Sequence, residues 1–415
     1  MDIKLKPLVA LIISNMALCA VAHAESNENQ FKVVLKNAFI ERNFDNDNIK
    51  DPGSWSQGIS GFYQSKYIPT VLSIADKPIE LGVDASLQYA LRLSDDRHID
   101  DTILPFDKNT QSQERHFLKY GGTFKVKYDT TELKVGELFL DLPITSVDAS
   151  RQLLTSYWGG QLKSKLTTDN LQLELGRVTQ VSPRYEEGFN EFSVTTKGVK
   201  HYSDGLNYLD LKYDVSPNLK AEYYYGDLED LYDKHYLGFE YSWKNEHLKS
   251  KTQLKYFRSE DSGAAKAGEI DNHNIGLLET VFAGNHTLGL GYQQLFGDTA
   301  YPLPDGFLPE LYFINWNATG FFKKDEKSVH LIYGYNFKDY APGLNAAVKY
   351  VYGTDFKDAL GRDNHESETN VMLAYDMQNP KLKGLSFRWL YINYDVEHGN
   401  SFQENRVFTT YTMKF

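Results

Sequence analysis

Residues 79–94, IELGVDASLQYALRLS, alternate in side-chain character along almost their whole length. Ile79, Leu81, Val83, Ala85, Leu87, Tyr89, Leu91 and Leu93 share one parity, while Glu80, Asp84, Ser86, Gln88 and Arg92 share the other. Successive side chains of a strand point to opposite faces, so this is a strand with an apolar face and a polar face. Globular strands run to about five or six residues. Alternation over roughly fifteen fits a tilted membrane-crossing strand that extends into water. The pattern recurs: HYLGFEYSW places Leu237, Phe239, Tyr241 and Trp243 outward, and SVHLIYGYNF does the same for Val329, Leu331, Tyr333, Tyr335 and Phe337. LSFRWLY turns Leu385, Phe387, Trp389 and Tyr391 outward, whereas NIGLLETVF has apolar residues on both parities and leaves its facing open. The turn signals VSPN, KNEH and NPKLKG separate such stretches. With few helical periods, no repeat and no low-complexity linker, one domain is the simplest organisation.

Strands in lipid cannot leave backbone groups unpaired, and only a closed barrel satisfies them all. The expected fold is therefore all-β, a transmembrane antiparallel β-barrel; segment spacing alone allows sixteen or eighteen strands. Mean hydropathy is −0.49, which taken alone reads as a soluble secreted protein; the alternation reverses that reading. A secreted β-sandwich or β-helix would not account for Tyr and Phe at so many strand ends. Nor would it account for the ending FTTYTMKF, in which Val407, Thr409, Tyr411, Met413 and the terminal Phe415 share the outward parity. That ending looks like the signal by which outer-membrane barrels are read by their assembly machinery. A net charge of −12 argues against nucleic-acid binding.

The amino end sharpens the location. MDIKLK is short and basic, PLVALIISNMALCAVA is mostly apolar, and Ala22-His23-Ala24 is a small-x-small cleavage site. Residues 1–24 read as a secretory signal peptide and 25–415 as the mature barrel. Cys19, the only cysteine, leaves with the leader, so no disulfide is expected. These features point to the outer membrane of a Gram-negative bacterium.

The inward parity carries the candidate function. In FKVVLKNAFIER, Lys32, Lys36, Ile40 and Arg42 oppose Phe31, Val33, Leu35 and Phe39. Arg406 and Lys414 take the inward parity of the last strand, and Arg388 that of the one before. First and last strands become neighbours on closure, so Lys36, Arg42, Arg388 and Arg406 form a basic strip on one wall. Outward charges at mid-membrane cost about 2–4 kcal/mol, which favours the inward assignment. A basic strip in a narrow pore attracts anionic groups; the plainer reading is that channel lumens are charged in any case. Arg177 conflicts with its strand, since it shares parity with Leu171, Leu173 and Leu175, and is left outside the site.

Through nearly all of the mature chain the sequence resembles the OprD family of outer-membrane substrate-specific porins. The likeness is carried by LKNAFIERNF (35–44), WSQGISGFYQS (55–65), YDTTELKVGELFLDLPITSVDASRQLLTSYWGG (128–160), LELGRVTQVSPR (173–184), YYGDLEDLYDKHYLGFEYSW (224–243), LGLGYQQLFGD (288–298), NPKLKGLSFRW (379–389) and ENRVFTTYTMKF (404–415). The resemblance implies eighteen strands, a monomer or loose homotrimer, an eyelet formed by inward-folded loops and a basic ladder guiding carboxylate-bearing solutes. It implies passive uptake of aromatic or aliphatic acids, or alternatively of basic amino acids and small peptides. Lys36, Arg42, Arg388 and Arg406 match basic positions of the family ladder, and Asp148 and Arg151 lie in the segment similar to the constriction loop. That segment breaks the strand alternation and contains Pro143. Asp148 and Arg151 would orient a dipolar solute, or else form a loop-fixing salt bridge. Phe62 and Leu390 stand where relatives often have Arg, a thinner and more apolar ladder that favours aromatic or aliphatic carboxylates.

Other chemistries have weaker support. His201-Tyr202-Ser203 resembles the His-x-Ser of outer-membrane phospholipase A, but the likeness is three residues long and falls in an expected loop. NEHLK has a single His, and DNDNIKD lacks the spacing of a calcium loop. A receptor barrel with an amino-terminal plug has no room before the first strand. No cofactor or metal is expected; the expected partners are small carboxylates, outer-membrane lipid and, through Phe415, the assembly machinery.

Overall fold

The computed structural model describes residues 28–94, 104–107, 109–110, 112–166, 170–306, 312–315 and 319–415. The leader expected over residues 1–24 lies outside these. Eighteen strands pair antiparallel in a closed ring, each with its neighbours in sequence. They range from Thr131–Leu138, with 8 residues, to Lys77–Arg92, with 16. The ring closes where the first strand, Gln30–Phe44, pairs with the last, Phe402–Lys414, from Lys32 opposite Lys414 to Phe44 opposite Phe402. This seam removes the free edges that the first and last strands would otherwise present to lipid, as the bilayer demands.

The parity expected from sequence is the parity of the wall. Leu237, Phe239, Tyr241, Trp243, Val329, Leu331, Tyr333 and Phe387 are exposed outward. The ambiguous NIGLLETVF turns Ile275 and Leu277 outward and buries Leu278 in the lumen. Arg177 does point outward, at the rim. Its Nη2 lies 2.8 Å from Glu229 Oε2, its Nη1 donates to Asn207 at 2.8 Å, and a bulge between Val178 and Gln180 follows. An ion pair at the water boundary removes the cost of a charge facing lipid.

Turns at one end are short; residues 129–130, 217–218 and 284–285 suffice to reverse the chain. Longer connections leave the other end. Barrels of this kind put short turns on the periplasmic side and long loops outside. Two of the long loops, residues 139–155 and the described parts of 297–326 (297–306, 312–315 and 319–326), fold back into the lumen, where their apolar side chains and those of the wall form the largest buried cluster. Leu331→Arg, on the lipid face of Lys327–Asn336, is expected to lower stability by about 2–4 kcal/mol in urea unfolding from lipid vesicles. An unchanged midpoint would contradict the outward assignment of this parity.

Candidate functional site

Loop 139–155 is inserted by two different kinds of contact. Its first half is apolar: Leu140, Leu142 and Ile144 are buried against Tyr157, Tyr208, Tyr224 and Tyr236 of the wall. Burying each aliphatic side chain contributes roughly 1.5–3 kcal/mol. Pro143 lies in a tight turn in which Leu142 N donates to Thr145 O at 2.6 Å. The Tyr157 hydroxyl donates to Ser146 O at 2.9 Å and accepts from Ser146 N at 3.0 Å. Loop 297–326 meets it from the other side. Tyr312 donates to Asp141 O at 2.8 Å, and Ile314 rests on Gly276 and Gly291, where an added Cβ would lie 2.5 and 3.0 Å from its side chain.

The second half is fastened by polar groups of the wall. Lys36 Nζ donates to Ala149 O at 2.9 Å and to Arg151 O. Gln152 returns the contact, donating to Lys36 O at 2.9 Å while accepting from Ser56 at 3.1 Å. Lys119 Nζ donates to Leu154 O at 2.7 Å, Ser182 O at 2.9 Å and Pro183 O at 2.7 Å. Asp148 is wholly buried. It pairs with Arg184 and accepts from Ser150 N at 2.8 Å. Burial pushes its carboxyl up, but Arg184 and Ser150 outweigh this and hold it below the usual range.

The six residues singled out by sequence thus divide. Strand register puts four of them on successive rungs of one wall. Arg42 lies opposite Glu404; Arg406 opposite Ile40 and Leu390; Arg388 opposite Phe408, itself opposite Ala38; Lys36 opposite Thr410. Rungs of the same face are about 7 Å apart along a strand. A carboxylate is built into the top of this column. Arg42 Nε lies 2.6 Å from Glu404 Oε2, and Arg406 pairs with the other oxygen of Glu404. The Arg42 guanidinium also sits 4.0 Å over the Phe402 ring. Arg388 pairs with Asp376 at 3.2 Å near the periplasmic end. Lys36 spends its ammonium on loop carbonyls, and the partner of Asp148 is Arg184 rather than Arg151.

Arg151 is the exception. It is 8 % exposed; among the described residues its side chain makes long contacts to Ser150 O and Oγ at 3.3 and 3.4 Å, and its Nε has no partner. Burial, then the nearby Arg406 and Arg184, press its pKa well below the usual arginine value. A carboxylate arriving between the loop and the last strand would relieve that strain on the cation. Apolar side chains narrow the adjoining space: Phe62 meets the loop's Phe139 edge-on at 5.7 Å, leaving a gap of about 30 Å³ beside Lys134 and Glu137. Toward the periplasm this opens into a cavity of about 500 Å³ lined by Asp84, Lys125, Lys134, Lys163, Glu174 and Lys212. Its lysines alternate with carboxylates, as in Lys125–Asp84 at 2.6 Å and Lys163–Glu174 at 3.0 Å. Elsewhere, Ser203 Oγ is buried and donates to Gly205 O at 3.0 Å.

The reading from sequence missed Lys119, Arg184 and loop 297–326. Lys119 was visible by parity alone, since it shares the inward face of its strand with Thr123 and Lys125. Arg184 follows the end of Leu171–Ser182, where parity no longer applies.

Comparison with known proteins agrees with this architecture. The model of the family described as outer membrane porin, OprD family, matches residues 26–415. Porin D of Pseudomonas aeruginosa is 26 % identical over 93 % of this chain and 91 % of its own, and the porin-like protein GalP of Pseudomonas putida is 26 % identical over 99 % and 97 %. Among solved structures, Acinetobacter baumannii OccAB4 is 61 % identical, with a TM-score of 0.91 over 94 % of this chain and 98 % of its own. Pseudomonas aeruginosa OpdK, crystallised with vanillate, is 26 % identical, with a TM-score of 0.86 over 93 % and 99 %.

Lys119→Met removes the tie between loop 139–155 at Leu154 O and the strand end at Ser182 and Pro183, and leaves buried carbonyls unsatisfied, at about 1–3 kcal/mol each. Its single-channel trace in planar bilayers is expected to be noisier and of higher conductance than that of the unsubstituted protein. A trace identical to the latter would show that Lys119 does not hold the loop.

Proposed function

The chain belongs to the OprD family of outer-membrane porins, and from that premise we propose that it passes small carboxylate-bearing solutes, aromatic or aliphatic acids, passively down their gradient. The observation that carries this reading is Arg151: a buried guanidinium whose Nε has no partner among the described residues, carried by the inward-folded loop 139–155 beside Arg406 of the Arg42–Arg406–Arg388 column. The solute's carboxylate would pass from Arg42 and Arg406 to Arg151, then to Arg388, exchanging one charge-assisted contact for the next. Such exchange lowers the barrier without a deep trap, as conduction requires. Phe62, Phe139 and Leu390 give an apolar surface for the body of the acid. Lys36, Lys119 and Asp148 act indirectly, by fixing the loop that carries Arg151. OpdK, a relative of the same fold crystallised with vanillate, supports a carboxylate over other solutes. In this reading the exposed Phe415 at the end of the last strand is what the assembly machinery engages.

A second reading, uptake of basic amino acids, is favoured by one feature: Glu404 in the column, with Glu366 and Glu368 buried on a neighbouring inward face. Single-channel currents with benzoate, vanillate, arginine and lysine added separately distinguish the two. Carboxylates are expected to interrupt the current, and Arg151→Ala to weaken their block at least about tenfold, the loss of one charge-assisted hydrogen bond. Interruption by arginine and lysine alone would overturn the carboxylate reading in favour of the second.

A further inference from the structure

Outside the pore, we propose that the hairpin made by Ile68–Ile74 and the start of Lys77–Arg92 is a membrane foot. It beds in the periplasmic leaflet of the outer membrane and gathers anionic phospholipid there.

Among the described residues Ile68–Ile74 pairs on one side, with Lys77–Leu81, and its other edge has no strand partner. Exposed edges in soluble surroundings are blunted by charge or proline. This one reads IPTVLSI, with its single proline near the start; Val71 is fully exposed, and Ile68, Leu72 and Ile74 are each more than half exposed. Four aliphatic side chains left together in this way mark an interaction surface.

The hairpin is held rigidly. The turn residues Ala75 and Asp76 both have positive φ, 46° and 62°, the backbone of a type I′ turn without its usual glycine or asparagine. Lys77 pairs with Asp129 at 2.6 Å, Tyr128 donates to Ile74 O at 3.0 Å, and Thr70 Oγ1 donates to Ile79 O at 2.8 Å. A hairpin braced across its own strands by Thr70 and fixed to the neighbouring turn at two points is presented at one height.

That height identifies the occupant. Strand register aligns Ile68 with Leu81, Leu81 with Val126, Val126 with Leu133 and Leu133 with Leu162, a single aliphatic row on the lipid-facing parity. The aliphatic face of the hairpin therefore starts at the periplasmic rim of the lipid belt and continues it past Tyr128, while the open backbone edge of Ile68–Ile74 lies at the hydrated headgroup level, where water satisfies it. Lys66 and Lys77 flank the patch. Lys77 is shared with Asp129, and Lys66 forms no ion pair among the described residues. An aliphatic wedge bordered by ammonium groups at this level matches the acyl–headgroup boundary of a leaflet containing anionic phospholipid.

The test uses the full chain in a Cys19→Ser background, with Val71→Cys carrying an environment-sensitive fluorophore, in nanodiscs of phosphatidylethanolamine and phosphatidylglycerol. The label is expected to be quenched by nitroxides near the top of the acyl chains, like a label at Leu87→Cys in the lipid belt, and to be shielded from iodide. Lys66→Gln is expected to reduce the phosphatidylglycerol retained after detergent exchange at least twofold. Iodide quenching equal to that of a label on the exposed loop residue Leu360 would overturn the proposal. So would efficient Val71→Cys crosslinking between barrels at unchanged lipid content, which would assign the edge to a second copy of the chain.

Discussion

The pairing of the first strand with the last is the contact on which the rest depends. Lipid offers no hydrogen-bond partner, so an open sheet edge in the wall would be prohibitively costly. Closure removes that edge, divides the chain into a lipid face and a lumen face by parity alone, and leaves the lumen as the protected space where irregular loops fit. Closure also assembles the candidate site. Arg42 and Lys36 come from one end of the chain, Arg388 and Arg406 from the other, and only the Gln30–Phe44/Phe402–Lys414 register stacks them as one column.

Within the lumen, the same positive charges serve two ends. Lys36, Lys119 and Lys234 are buried and direct their ammonium groups at backbone carbonyls, each reaching at least one carbonyl of an inward-folded loop, Lys234 meeting Pro302 O at 3.1 Å. A buried cation is stable only when such acceptors surround it, and loop carbonyls outside regular structure need donors in return. Together with carboxylate contacts such as Asp148–Arg184 and Thr319–Glu368, the exchange pins the loops. Arg151 sits at the end of that scaffold with its guanidinium largely unengaged, so loop position and solute contact are mechanically linked: whatever loosens Lys36, Asp148 or Lys119 moves Arg151.

The barrel was legible because period-two alternation is imposed along entire strands, and the bilayer filters out exceptions. Ile79 to Leu91, Leu237 to Trp243 and Val329 to Phe337 announce their faces directly. The column was legible for the same reason, since Lys36, Arg42, Arg388 and Arg406 are inward by parity. What parity cannot supply is the partner. Glu404 shares the inward face of Arg406, yet that it bridges Arg42 and Arg406 depends on register between distant strands. The partnership of Asp148 with Arg184 instead of Arg151 depends on how two loops meet. Loop 297–326 escaped notice because it has no period; its insertion is recorded only indirectly, in Gly276 and Gly291, glycines that leave room for Ile314.

The most direct measurement is a crystal structure of the protein soaked with 4-iodobenzoate, collected at a wavelength where iodine scatters anomalously. Iodine density in the lumen, with the carboxylate within hydrogen-bond distance of Arg151 Nε between loop 139–155 and the last strand, is the expected result. A solute seated against Glu366 and Glu368 with Arg151 untouched, or an empty constriction at saturating acid, would contradict it.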